Sequence, residues 1–382
     1  MQQIYLDYNA TTPIDPAVAE AMIPFLRTHF GNPSSAYRLG KFAQEAVETA
    51  RAQLAHLIGA EPDEIVFTGG GSEASNQAIK GTIFAKVKGI FGRFVKGAHI
   101  ITSAVEHPAT MEPCQFLKKL GCKLTILPVD EYGMVKLDDF RQVITRSTNL
   151  VSIMHSNNEV GTLQPIREIA EIAHRYGAVV HTDVSQSLGK VPVHVNDLDV
   201  DYMTIAGHKL YAPKGIGALY VRKGLKPEPL VHGAGHESGR RAGTENVPYI
   251  VGLGKAAEIA MESFPEVTAK LQDLRDRLWS HLREVCGREI VLHGHPENRL
   301  PNTLNVSFLG YINSELLEAL PQIAASTGSA CHEGKVTISP VLKAMGVSKQ
   351  VAKGAIRLSV GRFTTLAQID QTAELFHKAI RG

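Results

Sequence analysis

Cysteine is scarce in this sequence, with only Cys114, Cys122, Cys286 and Cys331 among 382 residues and no CxxC pair. So sparse a set excludes a disulfide framework, and it makes a reducing compartment, the cytoplasm, the default expectation. We expect no metal site. Long apolar runs are also lacking: none approaches the length that a bilayer span requires, and residues 1–7 do not form a signal peptide. We therefore expect no membrane association.

An excess of charge of either sign is missing too. Forty Lys and Arg against 38 Asp and Glu give a net charge of +2, so the whole molecule provides no argument for binding nucleic acid. What is present is the composition of a globular protein, 44% hydrophobic and 20% charged. A chain of 382 residues predicts two or three domains and can bury a large core.

Short apolar segments alternate with helical segments in the first two thirds of the chain, and the segments end in polar residues. They lie at 64–68, 99–102, 124–127, 150–154, 179–183 and 203–209. This alternation predicts a mainly parallel sheet with helices on both faces. A strand at 216–221 is predicted to return antiparallel. We predict a large domain over 15–255 and a small α+β domain from 1–14 and 256–382.

The triple glycine Gly69-Gly70-Gly71 follows the first of these strands and leads to a helix predicted to begin near Ser75. A glycine turn at a helix N-terminus is suited to bind phosphate. The turn also fits a dinucleotide-binding pattern, but no Asp or Glu follows Glu73 until Glu106, whereas a ribose needs an acid about 20 residues on. We predict a single-phosphate site, and an NAD-dependent oxidoreductase stays an alternative.

Asp183 and Lys209 each stand where a predicted strand ends. Ligands of open α/β sheets bind beyond the carboxyl ends of the strands, so the two side chains are predicted to face one crevice. Such a pair suits pyridoxal phosphate, because a lysine forms the imine and an aspartate holds the pyridinium nitrogen. An ordinary strand-end aspartate and a solvated lysine are the alternative interpretation. Other strand-end side chains predicted to face the crevice are His107, Asn158, Gln186 and His208.

The segment 80–96 is basic, with phenylalanines interleaved at roughly helical spacing. It is predicted to be either a docking surface for an acidic partner or a solvated amphipathic helix, kinked near Gly89 and Gly92. We favour the solvated helix, because such patterns usually mark the polar and apolar faces of an ordinary surface helix.

Ordered motifs along nearly the whole chain resemble those of the cysteine desulfurases in the class V aminotransferase group. They are Leu-Asp-Tyr-Asn-Ala-Thr-Thr (6–12), Gly-Asn-Pro-Ser-Ser (31–35), Glu-His (106–107), Asn-Asn-Glu-Val-Gly (157–161), His-Thr-Asp (181–183), Gly-His-Lys (207–209), Gly-Thr-Glu-Asn (243–246), Gly-Ser-Ala-Cys (328–331) and Gly-Arg-Phe-Thr-Thr (361–365). The resemblance implies the fold type I architecture of pyridoxal 5'-phosphate enzymes: an α/β large domain with a mainly parallel seven-stranded sheet, and a small α+β domain.

The resemblance also implies roles for individual residues. The implied cofactor-binding positions are Gly71, Ser72, His107, Asn158, Asp183, Gln186, His208, Lys209 and Thr244. The implied substrate-binding positions are Asn32, Asn158 and Arg357, and the implied catalytic positions are His107, Lys209 and Cys331. In the family the threonine corresponding to Thr244 binds the phosphate of the other subunit, which implies a homodimer.

Cys331 lies in a small, polar segment at 326–334, which predicts an exposed, mobile loop. A partly exposed cysteine is typical of a reactive thiol rather than a structural one. The implied activity converts L-cysteine to L-alanine and leaves the sulfur on Cys331 as a persulfide. The sulfur then passes to an acceptor or scaffold protein, for iron–sulfur cluster assembly or tRNA thiolation.

Three positions depart from the family pattern. Ala206 stands where the family often has serine, Gly-His-Glu-Ser (235–238) replaces the usual Gly-Gln-Glu-Arg, and His332-Glu333 follows the cysteine as in selenocysteine lyases. A selenocysteine lyase, which forms L-alanine and selenide, is therefore the nearest alternative. A catalytically silent binding scaffold is a more distant one.

Overall fold

The structure is a computed structural model that describes residues 3–86, 97–327 and 338–381. Within these ranges the helices are α1 (Pro16–Arg27), α2 (Arg38–Ile58), α3 (Gly71–Ala85), α4 (Pro108–Lys119), α5 (Leu137–Val143), α6 (Ile166–Arg175), α7 (Val195–Leu198), α8 (Val247–Glu262), α9 (Phe264–Cys286), α10 (Asn313–Glu318), α11 (Pro340–Ala344), α12 (Lys349–Ala352) and α13 (Leu366–Arg381). The strands are β1 (Ile4–Tyr5), β2 (Ile65–Thr68), β3 (His99–Ser103), β4 (Lys123–Leu127), β5 (Thr148–Ser152), β6 (Val179–Asp183), β7 (Tyr202–Ala206), β8 (Gly217–Val221), β9 (Ile290–His293), β10 (Thr303–Phe308), β11 (Ile323–Ala324) and β12 (Ala355–Ser359).

The largest sheet in the described ranges has seven strands in the order β2-β8-β7-β6-β5-β3-β4. Only β8 runs against its neighbours, pairing antiparallel with β2 and β7. The predicted mainly parallel sheet and its antiparallel return are thus confirmed. Strands β6 and β7 are adjacent and parallel, with Asp183 opposite Thr204, so the residues that come after both strands meet at one edge.

Local sequence signals account for most helix ends. Asp15 caps α1 by accepting a hydrogen bond from the Ala17 N–H at 2.9 Å, and Pro16 needs no donor in the first turn. Gly59, at φ +67°, ends α2 in the left-handed conformation that glycine adopts without strain.

One helix boundary differs from the prediction. Helix α3 begins at Gly71 rather than near Ser75, because Gly70 alone makes the turn at φ +146°. Pro265 lies in the first turn of α9, where a proline is compatible with a helix. The basic segment 80–96 lies in α3 up to Ala85, and 87–96 fall outside the described residues.

Two buried apolar clusters account for most of the core. The larger draws on residues between 18 and 260, with Leu300, around the seven-stranded sheet. The second joins Ile4 and Leu6 to residues between 271 and 376, and there β1 pairs with β11 while β9, β10 and β12 form an antiparallel sheet. This agrees with N-terminal residues completing the C-terminal part, although the division at 15 and 255 stays a prediction. No helix of the described residues is long and apolar enough to cross a membrane.

The C-terminal helix α13 is anchored by Phe376, which stacks on Phe308 with ring centroids 4.9 Å apart. Because both rings are buried, we expect Phe376→Ala to lower the free energy of unfolding by about 3–5 kcal/mol. Phe30, 76% exposed, is the matched control, and Phe30→Ala should change it by less than about 0.5 kcal/mol. Urea denaturation followed by circular dichroism measures both, and equal losses in the two variants would contradict this packing.

Candidate active site

A cavity of about 820 Å³ lies at the carboxyl ends of β6 and β7. Its other walls are the glycine turn before α3, the segment after β5 and the N-terminal segment around Asn9. The cavity is lined by these predicted site residues: Gly71, Ser72, His107, Asn158, Asp183, Gln186, His208, Lys209 and Arg357. The structure therefore brings together side chains that are distant in sequence. Within the described part of the chain, no cluster of three or more His, Cys, Asp or Glu could hold a metal ion.

Lys209 occupies the single 3₁₀ turn that comes after β7. Its ammonium group donates hydrogen bonds to the Asn9 and Ala10 carbonyl oxygens, the latter at 2.6 Å. Burial lowers the pKa of Lys209 to about 8, and Arg357 acts in the same direction while Asp183 and Asp7 oppose it. A buried amine with such a pKa loses its proton near neutral pH, as a lysine nucleophile or general base must.

Asp183 and His107 face Lys209 from neighbouring elements. Asp183 is the last residue of β6, and its carboxylate accepts a hydrogen bond from the Ser185 N–H at 2.8 Å. His107 caps α4, where its Nδ1 accepts from the Ala109 N–H at 3.1 Å. Burial lowers the pKa of His107, with Asp183 opposing this shift and Lys209 adding to it. A neutral imidazole that accepts at Nδ1 carries its proton on Nε2, which can therefore donate.

The glycine turn has the geometry of an anion cradle. Gly70, at φ +146°, has a conformation that side chains disfavour, and a Cβ on Gly71 would lie 3.0 Å from the Ala206 Cβ. The N–H groups of the first turn of α3 have no partners within the helix and favour a negative ligand. Nearby, His208 Nδ1 is 3.1 Å from the Thr11 hydroxyl, and burial lowers the pKa of His208 to about 4, which leaves it neutral.

Arg357, on β12, forms the opposite wall. Its guanidinium donates to the Asn158 carbonyl oxygen at 2.8 Å and to Asp7 Oδ1 at 2.6 Å. Among the described residues two buried atoms of this cavity's lining side chains have no hydrogen-bond partner, Arg357 Nε and Gln186 Oε1. Because unsatisfied buried polar atoms are rare, such a pair indicates a polar ligand.

Two of the predicted site residues that the structure describes do not line the cavity, and a third cannot be placed. Asn32 is exposed, and its side-chain oxygen accepts a hydrogen bond from the Ser34 N–H at 2.9 Å. This oxygen is therefore engaged within the turn that contains Asn32. Thr244 is exposed on the loop after Arg241, and a single chain does not test a contact with a partner subunit. Cys331 lies outside the described residues. The roles predicted for these three stay predictions.

Two residues of the site carried motif matches but no predicted role. The Asn9 carbonyl oxygen accepts from Lys209 and from Gln186 Nε2, and the Asn9 side chain donates to the Thr303 hydroxyl at 2.8 Å. Asp7 is the ion-pair partner of Arg357. Both lie in the motif at 6–12, whose polar residues within an apolar N-terminus were the available signal.

Comparison with known proteins identifies relatives over the whole chain. The family Aminotransferase class-V matches residues 4–372. The chain is 46% identical to "Cysteine desulfurase IscS" of Dictyoglomus turgidum over 384 residues, covering 99% of this chain and 95% of that protein. It is also 46% identical to the IscS of Methanosarcina thermophila, over 99% of this chain and 92% of that protein.

Solved structures give the same picture. A "NifS-like protein" matches with a TM-score of 0.91 and 38% identity over 100% of both chains. The structure titled "SspA in complex with cysteine" matches with a TM-score of 0.80 and 36% identity, covering 94% of this chain and 99% of that one. The fold and the sequence therefore point to the same group of proteins.

The lowered pKa of Lys209 predicts selective labelling of the cofactor-free protein. Below pH 8 its amine is protonated and unreactive, and above pH 8 it is neutral, because burial lowers the pKa from 10.5 to about 8. Acetic anhydride should therefore modify the peptide containing Lys209 with a midpoint near pH 8, measured by mass spectrometry. The reference is a free lysine analogue under the same conditions, and an equal midpoint for both would contradict the assigned burial.

Proposed function

Because this chain belongs to the class-V aminotransferase family and, within it, to the cysteine desulfurases, we propose that it converts L-cysteine to L-alanine with pyridoxal 5'-phosphate as cofactor. The observation that supports this best is the convergence of Lys209, Asp183 and the glycine turn on one cavity. An amine, a carboxylate and an anion cradle are the three groups by which proteins hold this cofactor.

The residues present fit the cofactor. Lys209 would hold its aldehyde carbon, Asp183 its ring nitrogen, and Gly71, Ser72 and His208 its phosphate. Gln186 Oε1, buried without a partner among the described residues, would meet its phenolic oxygen together with Asn158. When bound, the cofactor supplies an electron sink for the electrons released at the substrate's α-carbon. Thr244 of a second subunit would complete the phosphate site, so we propose a homodimer.

The chain's own groups divide the remaining work. Arg357 binds the substrate carboxylate, for which its fork of donors is matched. Lys209, as a neutral amine, removes the α-proton as general base. The neutral His107 carries its proton on Nε2 and can donate it to a group bound in the cavity. The Cys331 thiolate then attacks the substrate sulfur: an S–S bond forms, the C–S bond breaks, and its electron pair stays with the carbon, which takes up protons to give alanine.

The sulfur held on Cys331 must leave the enzyme before the next turnover. We infer that the outer sulfur of the Cys331 persulfide is passed to an acceptor or scaffold protein in the cytoplasm, in iron–sulfur cluster assembly or tRNA thiolation, as the S–S bond breaks and leaves the Cys331 thiolate. Support for this transfer comes from the relatives, which bear the name IscS; a related structure in complex with cysteine supports the substrate.

The sulfur step predicts a covalent intermediate. Given L-cysteine without an acceptor, the holoenzyme should carry one extra sulfur on the peptide containing Cys331, as measured by mass spectrometry. Cys331→Ala should lose nearly all alanine formation from cysteine, because sulfur leaves carbon poorly unless a thiolate takes it. Cys122→Ala is the control and should keep its turnover, since burial raises the pKa of Cys122 to about 11 and keeps that thiol protonated.

One result would overturn this assignment. An unmodified Cys331 together with full cysteine turnover in Cys331→Ala would refute the persulfide mechanism. On selenocysteine, Cys331→Ala should keep part of its activity, because selenium is the better leaving group and needs the thiol less.

The carboxylate site predicts a separate effect of Arg357. Both Arg357→Ala and Arg357→Lys should raise the KM for cysteine, and the Arg357→Ala variant should raise it about tenfold or more. The lysine variant should also raise it, because lysine keeps the charge but not the bidentate geometry. Cofactor content should stay that of the wild type. The surface variant Arg277→Ala, which removes an exposed ion pair with Asp370, is the control. An unchanged KM in the Arg357 variants would show that the carboxylate binds elsewhere.

A further inference from the structure

Asp7 is a charged residue of the site to which the proposed function gives no role. Its Oδ1 lies 2.6 Å from Arg357, and the exposed fractions of the two side chains are only 21% and 7%. The backbone around Asp7 is fixed, since its carbonyl oxygen accepts from the Tyr5 hydroxyl at 3.1 Å and from the Ala10 N–H at 2.9 Å. The carboxylate is therefore built into the wall beside the arginine.

The hydrogen bonds of Arg357 show what this carboxylate does. One terminal nitrogen donates to the Asn158 carbonyl and the other to Asp7, while Nε is buried without a partner in the described part of the chain. Part of the fork that would clamp a substrate carboxylate is thus already in use. A second carboxylate must share the guanidinium with Asp7 and approach a charge of its own sign.

Glu159 is another carboxyl group that interacts with Arg357. Burial raises its pKa, with the Ser339 hydroxyl and Arg357 opposing this shift, and Ser339 donates a short hydrogen bond to Glu159. Glu159 is thus occupied by Ser339 and biased toward its neutral form. Asp7 contacts the guanidinium directly, so it supplies the compensating charge.

We propose that Asp7 is a positioning residue that competes with the substrate carboxylate for Arg357 and so sets how tightly amino acids are held. This rests on the proposed function, in which Arg357 binds the carboxylate. Asp7 keeps the guanidinium oriented when the site is empty, and it weakens the grip on both the substrate and the alanine product. An arginine without this partner would bind either more tightly.

Asp7→Asn separates charge from orientation, because the amide oxygen still accepts a hydrogen bond from Arg357. In the holoenzyme, the KM for cysteine and the dissociation constant for L-alanine should both fall, by about threefold to tenfold, while kcat does not rise. The dissociation constant for L-alanine is measured by titrating the visible absorption band of the cofactor in the holoenzyme with L-alanine. Asp7→Glu keeps the charge and is the control that should not tighten binding. Asp7→Ser removes the charge as well and carries the same expectation if Asp7→Asn proves unstable.

A double-mutant cycle tests whether Asp7 acts through the arginine. In an Arg357→Gln background, where alanine binds weakly, adding Asp7→Asn should leave the alanine dissociation constant unchanged. Weaker or unchanged alanine binding in Asp7→Asn alone would overturn the proposal, as would equal tightening in both backgrounds. If the wild type forms no alanine from cysteine, the proposed function fails, yet the alanine titration still decides the role of Asp7.

Discussion

The burial of the Lys209 amine is the constraint on which the rest of the site depends. A buried ammonium group needs acceptors, and the carbonyl oxygens of Asn9 and Ala10 supply them. Asn9 is itself held by the C-terminal part of the chain, through the Ser359 and Thr303 hydroxyls. The N-terminal segment therefore connects the strand-end lysine to the second apolar cluster. A shift between the two clusters would move the groups that hold the amine.

The buried positive charges of the cavity are compensated by neighbouring carboxylates. Lys209 and Arg357 are the cations, and each lowers the stability of the other's charge, while Asp183 and Asp7 compensate them. Because opposite charges favour each other's ionised forms and like charges do not, the lysine is left with a pKa of about 8. The arginine, whose guanidinium stays protonated in proteins, contacts Asp7 directly. One cavity thus contains a cation that can lose its proton and another that cannot, as a base and a carboxylate clamp require.

The sequence was sufficient for those parts of the site that depend on local pattern. Asp183 and Lys209 end adjacent strands, and the rule that ligands bind at strand ends predicts their meeting. The glycine turn was also predictable, although its helix starts at Gly71 because one glycine suffices for the turn. The Asp7–Arg357 pair was not, since 350 residues separate its members and their contact depends on how the N-terminal segment packs. For Asn32 the motif match predicts a substrate-binding role, but it does not reveal that the side chain accepts a hydrogen bond within its own turn.

The departure at 235–238 has a physical explanation in Glu237, which, like Gly235, is common to the usual Gly-Gln-Glu-Arg and this Gly-His-Glu-Ser. Its buried carboxylate accepts hydrogen bonds from both terminal nitrogens of Arg51, at 2.7 and 3.0 Å, and from the Phe67 N–H at 2.9 Å. Glu237 and Ser238 have positive φ angles of 50° and 56°, a conformation that persists only when surrounding contacts fix it. The bidentate pair with Arg51 fixes it, and it anchors the loop to β2 just before the glycine turn. Ser238, in contrast, is exposed, so its side chain can vary without moving the cradle.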